Sequence, residues 1–348
     1  MIKEWNFLRA ITCLCIVFLH STTQTASIVS YPEIEYYHLF RILLCYATPT
    51  FIVLSVIILA NRYPDRLPPN FWSSRFKFIF LPFLSFAVVD AVVAFYTNPN
   101  TVFVDKLLRN IVTGSFEGWF ILVIFQFYFL HHLVTKYKVS MAWLMPTSIL
   151  TMFWYLNWMN ENPDIFPDFN YMLKLPFIAW FGYFAFGFIV GKYYTVISPK
   201  LYKHRWATLL YIGVSFSFVF LSYDAGNILV HSRRFDLFPF VISVTCALLA
   251  WGQAIPSFKV MTLVNNYAFG IYLVHWPVQM FLAPITADYF HHTSTRVLAL
   301  FILSLLLAMI IIKLVSLLPF GQYIVGKTKK NAPNTVQLEA LKTTSHSI

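Results

Sequence analysis

An arginine and a histidine, Arg9 and His20, stand eleven residues apart in the first apolar segment of the chain. At about 100° per residue, eleven steps turn the chain by about 1100°, so both side chains share one helix face, about 16 Å apart. Ionisable groups are costly inside a membrane span and usually line a cavity that serves a function. Imidazole exchanges protons near neutral pH, and guanidinium holds phosphate or steadies negative charge. The pair predicts acid-base chemistry beside an anion-binding group, with both side chains opening onto one internal chamber. The alternatives are a snorkelling Arg9 and a His20 bonded to a neighbouring carbonyl.

Two further side chains with chemical use stand at the start of the fourth apolar segment, Glu117 and Trp119. A carboxylate there can orient or polarise a histidine or bind sugar hydroxyls, and an indole offers a face for a pyranose. The alternative for Glu117 is an acid favoured by the helix dipole. We group His20, Arg9 and Glu117 as candidate catalytic residues and Trp119 as a candidate substrate contact.

The third apolar segment begins with a basic pair, Arg75 and Lys77, and carries Asp90 further along. The cations suit an anionic ligand such as a nucleotide phosphate, and ordinary anchoring at the inner membrane surface is the alternative. An unpaired carboxylate would be costly at the depth of Asp90, so we expect it to have a partner. We take Asp90 as a further candidate substrate contact.

The ninth and second apolar segments also contain residues with polar side chains. Tyr272 and His275 are candidate substrate contacts, with a structural hydrogen bond as the alternative for His275. Arg41 is expected either to pair with an acid of an outer loop or to contact substrate. Pro49 and Pro277 are predicted to kink or bend their helices.

The bulk composition fits a membrane and excludes a water-soluble domain, because 59% of the 348 residues are hydrophobic and 11% are charged. A membrane-spanning helix needs about 20 mostly apolar residues. We therefore predict an all-α polytopic membrane protein, with about ten transmembrane helices in one bundle. The first segment is interpreted as a retained helix rather than a cleaved signal. The predicted spans are 5–27, 36–60, 75–97, 118–135, 139–158, 172–194, 206–223, 235–253, 261–283 and 296–319.

Charge distribution predicts the orientation. With both termini in the cytoplasm, most lysines and arginines fall in inner loops, and acids concentrate in outer loops. The net charge of +11 is dispersed among these loops, so no nucleic-acid partner is expected. The four cysteines lack metal-ligand spacing, and no metal is expected. Residues 1–325 form one predicted membrane domain, and residues 326–348 a polar cytoplasmic tail.

These residues resemble the motifs of the integral-membrane acyltransferase 3 family, over nearly the whole chain. The matching stretches are the arginine and histidine with ten residues between them (Arg9, His20), residues 48–55, residues 118–122 leading to Tyr128, and residues 267–275. The chain departs from the family where Arg75 and Lys77 replace two arginines at wider spacing. It departs again at Glu117 and Gly118, where many members have a histidine before the tryptophan. The branch it most resembles includes proteins of biofilm poly-N-acetylglucosamine synthesis.

The resemblance implies an enzyme that moves an acyl group, acetyl by first choice, from cytosolic acyl-CoA to a hydroxyl of an extracytoplasmic glycan or cell-envelope polymer. His20 would take the hydroxyl proton or carry the acyl group itself. Arg9 would contact CoA or steady negative charge, and Arg75 with Lys77 would hold the nucleotide. Acyl-CoA is then a co-substrate, with no cofactor permanently bound.

The expected location is the bacterial plasma membrane. The expected partners are membrane lipid, a cell-surface glycan or lipid-linked sugar, and proteins of glycan synthesis. Two other functions stay open: an exporter of polysaccharide or lipid-linked sugar, whose path the same charged residues would line, and a scaffold of a glycan-synthesis complex, in which His20 and Arg9 would not matter.

Overall fold

The structure, a computed structural model, describes residues 2–162 and 172–328, and within these residues it is helical with no β-strand. The α-helices are α1 (Lys3–Val29), α2 (Tyr37–Leu44), α3 (Ala47–Arg62), α4 (Phe71–Arg75), α5 (Leu81–Thr97), α6 (Phe103–Thr113), α7 (Phe120–Lys136), α8 (Met141–Glu161), α9 (Phe181–Lys192), α10 (Tyr194–Lys203), α11 (Arg205–Asp224), α12 (Leu237–Ala254), α13 (Lys259–Tyr289) and α14 (Thr293–Ser316). A π-helical turn, Phe76–Phe80, joins α4 to α5. The predicted all-α polytopic class is confirmed.

Each of the ten predicted spans corresponds to one helix or to consecutive helical segments. Within the described ranges, eight helical stretches are long and apolar enough to cross a membrane. The other two predicted spans coincide with α8 and with the shorter apolar stretch Phe177–Lys192. Of the predicted tail, residues 329–348 lie outside the described part of the chain, and the tail stays a prediction.

Helix α1 lies at the centre of the bundle, where it packs against α3, α12, α13 and α14. Its register against α13 is held by Gln279, whose fully buried amide nitrogen lies 3.0 Å from the carbonyl oxygen of Val17 and 2.8 Å from Oγ of Ser21. Gln279 stands one helical turn beyond His275, and Val17 and Ser21 flank His20 on α1. This polar contact therefore fixes the two helices beside their histidines.

The predicted kink in the second span appears as a break between α2 and α3 at Cys45 and Tyr46. Pro49 has no N–H to donate to the carbonyl of Cys45 four residues earlier, so the helical hydrogen-bond ladder is interrupted there. The break separates α2, which carries Arg41, from the deeper part of the span. Pro277, in contrast, lies inside α13 without interrupting it.

Close packing of α9 on α3 depends on Gly187 and Gly191. A methyl group added at Gly191 would overlap the carbonyl oxygen of Ile57, and one at Gly187 would lie 2.9 Å from that of Val53. Small residues four positions apart let two membrane helices approach in this way. These glycines thereby let α9 lie close against α3, the inner part of the second span.

Two of the cavities in the described part of the chain lie toward opposite ends of α1. The proximal cavity lies near the end where α1 begins and includes Arg9, Asn265 and Tyr272 in its lining. The distal cavity lies near the end where α1 terminates and includes His20 and Glu117. On the predicted topology the proximal end faces the cytoplasm.

Candidate active site

The central feature of the distal cavity is a pair of histidines from α1 and α13. Nδ1 of His20 lies 2.7 Å from Nε2 of His275, and Nδ1 of His275 lies 2.9 Å from the carbonyl oxygen of Ile271. A carbonyl only accepts, so Nδ1 of His275 carries the proton and, in the neutral ring, Nε2 accepts. His20 therefore donates from Nδ1, and its other nitrogen, Nε2, keeps its lone pair. The backbone of α13 thus sets the tautomer of both rings.

Glu117 lies on the other side of His20, with Oε2 3.5 Å from Nε2 of that ring. It stands in a 3₁₀ turn, Glu117–Trp119, that enters α7. The chain reaches this turn through Gly114, whose φ of +57° favours glycine and where a methyl group would lie 2.8 Å from Cβ of Trp119. A carboxylate so placed can stabilise an imidazolium when His20 takes a proton. The structure thus brings the predicted residues His20, Glu117 and His275 together.

The distal cavity has a volume of about 820 Å³, within the range of small-molecule sites. Its wall is rich in indole rings and cations; among them are Trp119, Trp180, Trp276, Arg41, Lys174 and Arg233. One side is the segment from residue 228 to residue 233, which belongs to the loop between α11 and α12. Arg234 holds that loop, because its guanidinium contacts Asp236 and the carbonyl oxygens of Asn227 and Leu229.

Trp119 lines this cavity, but it is only 7% exposed and packs beside Trp180 with ring centroids 5.3 Å apart. The ammonium of Lys174 lies 4.9 Å from the centroid of the same ring. Little indole surface is left for a sugar. Trp276 is a better candidate for that contact, because it is half-buried, lines the cavity and meets the ring of His20 edge-on at 5.2 Å. Sequence reasoning missed Trp276, which looked like one more apolar residue of its helix.

Lys174 lies before the apolar helical stretch Phe177–Lys192, and so outside the apolar part of the predicted span 172–194 in the structure; it was not among the predicted site residues. Burial lowers the pKa of Lys174 to about 8, while the carboxylate of Glu117 acts in the opposite direction and favours the charged amine. In the sequence, Lys174 stands at the outer end of the predicted span 172–194, where a lysine is usually solvated and gives no signal of a cavity.

Arg9 occupies the proximal cavity rather than the cavity of His20. Its Nη1 donates to Oδ1 of Asn265 at 3.2 Å, and the cavity has a volume of about 250 Å³. The two residues share a helix face, but the expectation that both open onto one chamber is wrong. Arg9 and His20 are about 16 Å apart along α1, and a layer of side chains lies between their cavities.

That layer consists of three aromatic rings, Phe51, Phe120 and Tyr272. The centroid of the Tyr272 ring lies 4.2 Å from that of Phe120 and 6.2 Å from that of Phe51. All three residues line the proximal cavity, and Tyr272 also lies 5.9 Å from the ring of His275. Tyr272, predicted as a substrate contact, is thus a buried part of the partition between the cavities.

The predicted basic pair is divided in the structure. The guanidinium carbon of Arg75 lies 4.8 Å from the ring centroid of Phe71 and 5.5 Å from that of Tyr128, which itself lines the proximal cavity. Lys77 is exposed and is not part of that lining. Lys327, which sequence reasoning assigned to the tail, lines the cavity and lies 3.7 Å from the ring centroid of Phe78.

Asp90 lies away from both cavities. Its Oδ2 is 2.9 Å from Nζ of Lys106 and 3.0 Å from Nδ2 of Asn110, so the carboxylate joins α5 to α6. The expected partner is present, and it is structural. The structure does not bring Asp90 to the histidine pair, so its assignment as a substrate contact is not supported by this geometry.

One of the two roles predicted for Arg41 was an ion pair with an acid. Within the described residues, Arg41 forms no such ion pair. It is 5% exposed, its Nε donates to Oγ1 of Thr22 at 2.9 Å, and its Nη2 donates to Oγ1 of Thr23 at 3.0 Å. Its guanidinium also lies over the ring of Tyr31, 4.2 Å from the centroid.

Across residues 2–162 and 172–328, no three His, Cys, Asp or Glu side chains are grouped as metal ligands.

Comparison with known proteins identifies a family. An acyltransferase domain model, acyltransferase 3, matches residues 2–313. A Bacillus subtilis protein named as a membrane-bound acyltransferase, YfiQ, is 33% identical over 295 residues, which cover 79% of this chain and 80% of the relative. A Staphylococcus aureus protein named as a poly-β-1,6-N-acetyl-D-glucosamine export protein is 23% identical over 292 residues, covering 78% of this chain and 81% of the relative. No solved structure gives a significant match. The family match spans most of the chain and agrees with its motifs, and this protein therefore belongs to the acyltransferase 3 family of membrane-bound acyltransferases.

Proposed function

We propose that this acyltransferase moves an acyl group, acetyl by first choice, from acyl-CoA at the proximal cavity to a hydroxyl of a glycan or lipid-linked sugar in the distal cavity. The observation that carries the proposal is the fixed lone pair on Nε2 of His20, at the wall of a cavity large enough for a sugar. A sugar hydroxyl is a poor nucleophile at neutral pH and needs such a base. With the termini in the cytoplasm, donor and acceptor arrive from opposite sides of the membrane.

His20 acts by holding and returning one proton. Its Nε2 takes the hydroxyl proton as the oxygen forms a bond to the thioester carbonyl carbon. The carbon–sulfur bond then breaks, and the departing CoA thiolate receives the proton from Nε2. In a route through an acyl-histidine the same nitrogen carries the acyl group, so both routes depend on the tautomer set by His275. Glu117 favours the protonated ring in the intermediate stage.

The proximal cavity supports the donor side of the proposal. Its volume of about 250 Å³ suits the slender pantetheine arm, with Arg9 and Asn265 as polar contacts along it. The phosphates would remain nearer the end of the bundle, where Arg75 and Lys327 supply positive charge. Arg9 lies in the cavity opposite to His20, so we assign it to CoA rather than to the developing charge at the carbonyl.

The aromatic layer of Phe51, Phe120 and Tyr272 separates donor from acceptor until the thioester passes it. The ring of Tyr272 contacts Phe120 on the proximal side and approaches His275 on the distal side. Movement of these rings would open a passage for the acyl group. The layer also keeps water on the distal side away from the thioester, which limits wasteful hydrolysis.

The experiment uses the purified full chain in liposomes with labelled acetyl-CoA and candidate glycans. CoA release that requires the glycan, together with label recovered on the glycan as an ester, supports the acyltransferase. Glycan movement across the membrane without any acyl donor, and with no ester formed, contradicts it.

Export is the second candidate function, because two of the compared relatives, from Staphylococcus aureus and Staphylococcus epidermidis, are named as poly-N-acetylglucosamine export proteins. An exporter needs a path wide enough for a sugar through the whole bundle. The proximal and distal cavities have no lining residue in common, and the aromatic layer lies between them. This arrangement favours the transfer of a small group over the passage of a polymer.

A further inference from the structure

Arg41 is the most deeply buried cation in the wall of the distal cavity, at 5% exposure. Its partners on α1 and α2 are neutral groups, the hydroxyls of Thr22 and Thr23 and Nδ1 of His38 at 3.5 Å. In the part of the chain that the structure describes, no carboxylate forms an ion pair with it. A buried charge is costly unless an opposite charge accompanies it.

The guanidinium has more N–H groups than these contacts use. Nε gives its single N–H to Thr22, while Nη1 and Nη2 each make one contact and each keep a second N–H. Two N–H groups on neighbouring terminal nitrogens match the paired oxygens of a carboxylate or phosphate. Lys174 and Arg233 also line the cavity. Among its described lining residues, Glu117 is the one acid beside these three cations.

We infer that Arg41 forms an anion-binding subsite in the distal cavity, for a phosphate or carboxylate carried by the acceptor. The assignment to the acceptor rests on the proposed function and on position. Thr22 and Thr23 follow His20 along α1, away from Arg9, so the subsite lies beyond the histidine from the donor side. The substrate class is therefore an anionic glycan, such as a sugar phosphate or an acidic sugar, rather than a neutral polysaccharide.

Binding is measured with a matched pair of probes, glucose 1-phosphate and methyl glucoside, with CoA present to fill the proximal cavity. Tryptophan fluorescence reports occupancy, because Trp119, Trp180 and Trp276 line the distal cavity. We expect the phosphate probe to bind about tenfold tighter than the neutral sugar, with the difference lost in Arg41→Gln. The control Arg109→Gln, which removes an exposed arginine paired with Asp105 away from the cavity, should keep the full preference.

Arg41→Lys serves if Arg41→Gln does not fold. It keeps the charge but loses the paired N–H groups, so the preference should fall to a few-fold rather than vanish. Equal binding of both probes by the unmodified chain, or a full preference in either Arg41 variant, overturns the inference.

Turnover separates this inference from the proposed function. Acyl transfer without preference for charged acceptors overturns the subsite and leaves the proposed function standing. Binding that depends on Arg41 without any transfer supports the subsite and contradicts the proposed function. A further comparison uses succinyl-CoA and acetyl-CoA with one neutral acceptor. If Arg41→Gln impairs only transfer from succinyl-CoA, the anion belongs to the acyl group and the inference is wrong.

Discussion

Nδ1 of His20 and Nε2 of His275 lie 2.7 Å apart, and the backbone carbonyl of Ile271 holds the far nitrogen of the second ring. The two helices that carry these histidines are clamped one turn away by Gln279. In the proposed mechanism, the tautomer of the base on α1 is therefore set by the main chain of α13. His275 is then a positioning residue, which acts on His20 rather than on substrate.

Removing that partner should lower the chemical rate without changing donor binding. In His275→Leu, His20 loses the acceptor for Nδ1–H and spends time in the tautomer with Nε2 protonated. We expect kcat to fall by about tenfold to a hundredfold, with an unchanged KM for acyl-CoA. His275→Gln, whose amide oxygen can accept the same hydrogen bond, should recover part of kcat. Equal losses in both variants would point to a structural role alone.

Glu117 should contribute through its charge rather than its shape. Glu117→Gln keeps the size of the side chain but removes the negative charge 3.5 Å from Nε2 of His20. Because that charge stabilises the imidazolium, we expect kcat to fall by about tenfold or more. Steady-state kinetics at several pH values are the measurement. Asp105→Asn, an exposed acid paired with Arg109 away from the cavity, is the matched control and should have no effect.

Lys174 should make stability depend on pH in the alkaline range. Burial lowers its pKa to about 8 from 10.5, so between these values the unfolded chain holds a proton that the folded chain has released. Stability contributed by this group therefore rises with pH across that window and is smallest below it. Thermal unfolding of the unmodified chain and of Lys174→Met from pH 7.5 to 10.5 tests the sign. A difference between the two that does not vary with pH would rule this out.

The aromatic layer should restrain hydrolysis of the donor. Phe120→Ala removes the ring whose centroid lies 4.2 Å from that of Tyr272, opening a gap between the two cavities. Water should then reach the thioester, and CoA release without acceptor should rise several-fold. Thiol detection in the absence of glycan measures it. Phe153→Ala, a ring half-exposed on α8 outside both cavities, should leave the background rate unchanged.

Much of the helical architecture could be predicted, because length and apolar content decide where a chain can cross a membrane. The break at Cys45 and Tyr46 followed from Pro49. The placement of Arg9 and His20 on one face of α1 also followed from helix geometry. What that geometry could not reveal is the aromatic layer between them, since Phe51, Phe120 and Tyr272 come from three distant segments.

The other contacts of the site could not be predicted either, because they depend on loop positions and on how the helices pack. Lys174 and Arg233 lie in loops, where a lysine or arginine is usually solvated and gives no signal of a cavity. His275 was recognised as a polar group, but its contact with His20 depends on the packing of α13 on α1. Asp90 was expected to have a partner, yet only the structure shows that Lys106 supplies it.

Mass spectrometry of acceptor glycans, after incubation with acetyl-CoA and the full chain in liposomes, tests whether His20 is the base for transfer between the two cavities. If His20 is the base, an ester is expected on the glycan with the unmodified chain and with His132→Ala, which replaces an exposed histidine outside both cavities. No ester is expected with a His20→Ala protein that is folded and inserted. Undiminished ester formation by that variant would show that His20 is not the base.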